Sequence, residues 1–223
     1  MTTPLFGIAM LLATVALAFG LLLSAIGAVL RGRTPAWRRL GLIAGGWAAA
    51  YLVILVAVSL LSRERVLGWG EDKEFCGFYL DCHRRVAVVA VAVVDSIGEL
   101  RPDGRFHVVS LRVGSNARVA RLRFHEPHVV VRVEGAERPY ERATAAEAAL
   151  RGLRAPELAI TEQIGPGGAF ATTAVFDLPR DVRDPRLDMT DLPWPDRLIE
   201  FLLIGDEDSF RHARTTIRLA PAS

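Results

Sequence analysis

LFGIAMLLATVALAFGLLLSAIGAVL, residues 5–30, and LGLIAGGWAAAYLVILVAVSLL, residues 40–61, contain no acidic residue, no basic residue and no histidine. A helix of about 20 residues crosses a hydrocarbon layer of roughly 30 Å, so each run has the length of a membrane span. Helices of water-soluble domains rarely exclude every charge over such a length. The runs are joined by Arg31-Gly-Arg-Thr-Pro-Ala-Trp-Arg-Arg39, in which Arg31, Arg33, Arg38 and Arg39 have no acidic neighbour. Short arginine-rich loops remain in the cytoplasm because their translocation is unfavourable. The reading is a two-helix transmembrane hairpin over residues 1–62, with helices at about 5–30 and 40–61 and a cytoplasmic loop. Both termini then face the periplasmic or extracellular side of a bacterial cytoplasmic membrane. A cleaved signal peptide would open with positive charge and carry a shorter apolar stretch. Met1-Thr-Thr-Pro4 has no charged side chain, and the first helix is expected to be retained.

Small residues recur at a spacing of four: Ala16, Gly20, Ser24 and Ala28 in the first run, and Gly41 with Gly45, then Gly46 with Ala50, in the second. Such stripes let helices approach closely in lipid. They can serve the pairing of these two helices or the docking of a helix from another subunit. Without an ionisable residue in either run, an ion or proton pathway is not expected.

Beyond Ser62 the composition becomes arginine-rich and acid-balanced, within a net formal charge of +2 for the chain. No basic-aromatic array suggests nucleic acid as a partner. Residues 63–74, with Trp69 suited to the headgroup level, read as a juxtamembrane stem, and residues 75–223 as one domain. Runs rich in β-branched residues predict strands at 85–95, 106–113, 117–124, 128–134, 169–178, 197–204 and 215–219. About seven short strands argue for a β-sandwich. Thr144-Ala-Ala-Glu147 predicts a capping box opening a short helix that Gly152 can close. The stretch 179–195, with Pro179, Pro185, Pro193 and Pro195, is expected to be an irregular surface loop.

The two cysteines fall in Lys73-Glu-Phe-Cys-Gly-Phe-Tyr-Leu-Asp-Cys-His83. Outside the cytoplasm, Cys76 and Cys82 form a disulfide most simply. The alternative is a soft-metal site in which two thiolates and His83 take copper or zinc, although the segment supplies no fourth ligand. His125 and His128 flank Glu126-Pro127 and suit a polar turn, and His107 and His212 are read as solvated or hydrogen-bonded. Gly205-Asp-Glu-Asp208 offers three adjacent carboxylates, but neighbours on an extended chain point apart, so a charged turn is expected in preference to a calcium site. The sequence has no nucleophile elbow and no phosphate-binding glycine loop, and neither an enzyme nor a cofactor is expected.

Gly167-Gly-Ala-Phe-Ala-Thr-Thr-Ala-Val-Phe-Asp-Leu-Pro179, with Leu187 and the later Leu-Leu-Ile-Gly-Asp-Glu-Asp-Ser209, resembles the second half of bacterial extracytoplasmic immunoglobulin-like domains of unknown function. The Phe-Cys and Asp-Cys-His segments resemble the opening of extracytoplasmic β-sandwiches from high-GC bacteria. The resemblance implies an immunoglobulin-like sandwich over about residues 75–220 and carries no catalytic residue. The chain is therefore expected to be a non-enzymatic accessory or scaffold subunit. Its partners would be the lipid bilayer and other membrane proteins of a respiratory, photosynthetic or secretory complex, met through helix 1 and the 179–195 loop. A periplasmic metal-binding or redox protein using Cys76, Cys82 and His83 is the alternative.

Overall fold

A computed structural model of the chain describes residues 4–34, 36–76, 82–153, 157–191, 193–194 and 196–220. It divides into two compact units, one of residues 1–63 with 197–213 and the other of residues 64–196 with 214–223.

In the first unit, α1 (Pro4–Leu30) and α2 (Trp37–Leu61) form a hairpin. The α1 end is closed by Arg33 N–H on the Ala28 carbonyl and Gly32 N–H on that of Val29, with Gly32 in the left-handed region. This double closure is the glycine-dependent way to stop a helix, and here it turns the chain in the arginine loop. Across the hairpin, Trp47 Nε1 donates to Thr14 Oγ1 at 3.0 Å, and Thr14 donates in turn to the Met10 carbonyl. Both helices are long and apolar enough to cross a membrane, and only 6 % of the apolar window of each is buried. The unit also contains most of α4 (Asp196–Leu202) and the turns that follow it.

The second unit is a sandwich of two four-stranded sheets. One has the order β1 (Arg65–Leu67), β8 (Thr215–Arg218), β7 (Arg186–Asp191), β5 (Pro127–Arg132), with β1 parallel to β8. The other runs β2 (Lys73–Phe75), β3 (Arg84–Val94), β4 (Arg105–Ser115), β6 (Ala169–Leu178), all antiparallel. Alternation along the strands turns Val86, Val88, Val109, Leu111 and Phe176 inward to meet Val129, Val131, Leu187, Met189 and Ile217 of the facing sheet. Phe75 and Phe124 fill one part of this core edge to face, with centroids 5.1 Å apart. The helix α3 (Thr144–Leu153) covers the opposite face of the second sheet, where Ala146 packs with Phe106, Val108 and Val175. This double covering is why consecutive residues of β4 are buried.

The sandwich and the two apolar helices match the sequence expectation, while several local readings change. Residues 63–74, expected as a stem, contain β1 and enter β2. The run 197–204 falls in helix α4 up to Leu202 and then in a turn, not in a strand, because a short apolar run fits either period. Residues 117–124 are irregular with a single bridge, Leu122 to Ile164, since among the described residues no strand lies beside them to continue a ladder. The 179–195 stretch is not one loop: β7 runs through it as an interior strand between β8 and β5. Pro185 and Pro193 stand outside β7, so no ladder donor is missing within the strand.

Candidate functional site

The edges of the second sheet are treated differently from one another. On β6, the Val175 N–H donates to Glu147 Oε1 at 3.0 Å and its carbonyl accepts from Ala143 N–H at 2.7 Å. Glu147 is buried and also receives Arg142 through two bonds of 2.8 and 2.6 Å. The predicted helix at Thr144 is present, but Glu147 does not reach back to Thr144 as a capping box would. It holds the strand edge instead, and Ala143 supplies the first helical acceptor, to Glu147 N–H. On the other side, β2 pairs only with Arg84 to Val86 of β3, and the Gly70 N–H takes the Val88 carbonyl. Beyond Val88, among the described residues, no strand adjoins β3 on the side away from β4. Ala90, Ala92 and the partly open Val89 and Val93 line this edge without a charge. Most sheet edges in natural proteins carry lysine, proline or a cover that prevents strand addition.

The cysteine pair is disulfide-bonded, Cys76 to Cys82, in the connection from β2 to β3; residues 77–81 lie outside the described residues. His83 Nδ1 lies 2.7 Å from Asn116 Oδ1. With both sulfurs bonded to each other, the pair in this form offers no thiolate to a soft metal. His125 donates its main-chain N–H to Asp191, while exposed His128 meets Glu141 at 3.3 Å. His107 on β4 is buried, and desolvation first, with the Arg105 charge second, holds its imidazole below the ordinary 6.5. Polar groups between the two sheets are tied down: buried Lys73 of β2 donates to the Met189 and Thr215 carbonyls of the first sheet, and Asp191 accepts from Arg84 and the His125 and Glu126 amides. These are structural contacts that satisfy buried charge.

In the first unit, Glu200, Asp206 and Asp208 each place one carboxylate oxygen within 4.8 Å of the others. Burial, more than the Glu207 charge, raises the Asp206 carboxyl above its ordinary range, against a lowering hydrogen bond from the Asp208 amide and the His212 charge. Oxygen ligands of this kind suit calcium or magnesium, but three fall short of the six to eight calcium takes. Sequence reasoning saw Asp206 and Asp208 and missed Glu200, because the helical turn that brings it near was read as a strand.

Most of the small-residue stripe faces outward from the hairpin. A Cβ added at Gly20, Gly41, Gly45 or Gly46 meets nothing within 4 Å, and Ala16 and Ser24 are exposed. The close approach is at Gly7, where a Cβ would overlap the Ile204 carbonyl. Arg31 and Arg33 lie in the loop, whereas Arg38 and Arg39, expected there too, fall in the first turn of α2, and all four are exposed.

No protein-family model and no curated protein matches the sequence. Among solved structures, a conserved hypothetical protein from Bacillus anthracis is similar over 55 % of this chain and 89 % of its own, with 16 % identity and a TM-score of 0.43. An uncharacterized β-sandwich protein from Clostridium difficile covers 71 % of this chain and 96 % of its own at 7 % identity, TM-score 0.40. The yjhA protein from Bacillus subtilis covers 69 % and 99 % at 8 % identity, TM-score 0.38.

Proposed function

We propose that the chain is a non-enzymatic accessory or scaffold subunit of a membrane assembly. In this reading α1 and α2 anchor it in the bacterial cytoplasmic membrane, and the sandwich works on the outer side as an immunoglobulin-like interaction domain. The anchor reading is supported by the largely uncovered apolar helices and the arginine loop between them. The immunoglobulin-like reading is supported by strand order: β3-β4-β6 stands for A-B-E and β5-β7-β8 for C-F-G, with α3 in the connection where strand D would lie. The disulfide suits an oxidising compartment.

The single observation that carries the interaction role is the open, uncharged edge of β3, on the side of the sheet opposite the β6 edge that the fold closes. A partner segment adding to this edge gains main-chain hydrogen bonds, with Val89 and Val93 offering apolar contact. The test is affinity purification from the native membrane in mild detergent, comparing the native chain with Val93→Lys. The expected result is a stoichiometric partner that the lysine variant loses. A native chain that runs alone, with no co-purifying protein, would remove the basis for this role.

A further inference from the structure

Residues 197–213 bury Leu203 and Ile204 yet leave an apolar face of α4 open. Leu198, Phe201 and Leu202 are 52, 46 and 43 % exposed and stand at positions i, i+3 and i+4 of α4, one face of the helix. Glu200 and Ser209 are buried, and Asp206, Glu207 and Asp208 are partly covered. The exposed charges are two cations, Arg197 and Arg211, the latter over the Phe210 ring at 5.4 Å. An element facing water places its carboxylates outward and its large apolar groups inward.

The level of this segment along the hairpin indicates what meets that face. The Leu202 carbonyl accepts from the Tyr51 hydroxyl at 2.7 Å, and Tyr51 stands ten residues, about 15 Å, before the end of α2 at Leu61. The Ile204 backbone lies against Gly7, near the start of α1. Exposed Phe6, Leu52 and Val53 occupy the same levels of the two helices, so the α4 face continues their apolar surface. Backbone at such a depth must be satisfied within the protein. The Leu202 carbonyl has Tyr51, the Phe201 carbonyl has the Phe210 N–H at 3.0 Å, and the Ala213 N–H has Ser62 Oγ at 2.7 Å.

We propose that residues 197–213 are a lipid-seated element. Leu198, Phe201 and Leu202 contact acyl chains of the outer leaflet, and Arg197 and Arg211 extend to headgroup phosphates. The inference rests on the membrane-anchor reading above and adds a third contact with the bilayer, from a segment remote in sequence. Long cationic side chains reach the interface while their stems remain in apolar surroundings, and amphipathic helices bind lipid through such a face.

The test uses the full chain in vesicles of phosphatidylcholine and phosphatidylglycerol. Its two native cysteines are bonded together, so Leu198→Cys and Phe201→Cys each provide one site for a nitroxide. Collision with oxygen is compared with collision with a water-soluble nickel chelate, using Leu22→Cys in α1 and Val119→Cys on the sandwich as references. The oxygen-to-nickel ratio at 198 and 201 is expected within about twofold of that at 22 and about tenfold above that at 119. Leu198 lies outside the Phe201–Phe210 ring contact, so its label reads the position even where the Phe201 variant disturbs packing. Water-like ratios at 198 and 201 with a lipid-like ratio at 22 overturn the proposal and leave the anchor standing. A water-like ratio at 22 overturns both. Shielding of 198 and 201 from both reagents means that protein covers the face, which also overturns it.

Discussion

Replacing Glu147 with alanine removes the acceptor that closes the β6 edge. The Val175 N–H is fully buried and has Glu147 Oε1 as its side-chain partner, so its desolvation goes uncompensated, at about 1–3 kcal/mol. Arg142 loses two hydrogen bonds, but its side chain is 28 % exposed and can turn toward water, so this adds no more than about 0.5–1 kcal/mol. The expected total is about 2–3 kcal/mol, and Glu147→Gln, which keeps a carbonyl oxygen for Val175, should cost about 1 kcal/mol. The assay is hydrogen exchange of the intact chain in detergent micelles, read at the slowest amides of β4 and β6 so that it reports the sandwich alone. Protection there should fall about 30- to 150-fold in Glu147→Ala, at tenfold per 1.4 kcal/mol, and about fivefold in Glu147→Gln. Equal protection in the two variants, or a change under about twofold in the alanine variant, would refute the assignment of Glu147 as the edge closure.

Gly7→Leu should detach residues 197–213 from the helices, since its Cβ overlaps the Ile204 carbonyl; faster exchange of the Phe210 amide measures this, while Gly45→Leu, which meets open space, should leave it unchanged. The depressed His107 imidazole favours the neutral form in the folded sandwich, so its stabilisation is present above about pH 6.5 and lost as pH falls through the folded value. Unfolding curves from pH 8 to 5 should show the native chain losing stability relative to His107→Gln; parallel profiles would exclude this linkage. The raised Asp206 carboxyl has the opposite sign: its contribution is present below about pH 3.8 and lost as pH rises through the folded value. Asp206→Asn, which keeps an oxygen for the Asp208 amide, should therefore slow proteolysis of residues 197–213 at pH 7.

The covered β6 edge shows the limit of reading this chain locally. Thr144 and Glu147 have the spacing of a capping box, and a helix does form there, yet the glutamate's partners are Arg142 and Val175. The second of these is 28 residues away, and no local pattern indicates it. Likewise the prolines around residue 190 correctly mark breaks in regular structure, but Pro185 and Pro193 flank an interior strand, whose existence depends on β5 and β8 lying on either side. At Leu198 to Ile204 the apolar pattern is too short to separate the two periods, and the choice of helix brings Glu200 toward Asp206 and Asp208.

What the sequence determined by itself is what short-range physics controls: two long apolar helices, a disulfide between its two cysteines, and valine-rich strands enough for a sandwich. These follow from length, composition and alternation, which act within a few residues. Tertiary structure alone decided which edge of the second sheet is closed and which is open, and that residues 197–213 return to the hairpin with their apolar side outward. Both depend on hydrogen bonds and contacts between residues far apart in the chain, such as Glu147 with Val175 and Tyr51 with Leu202, whose formation requires the whole fold to bring the partners together.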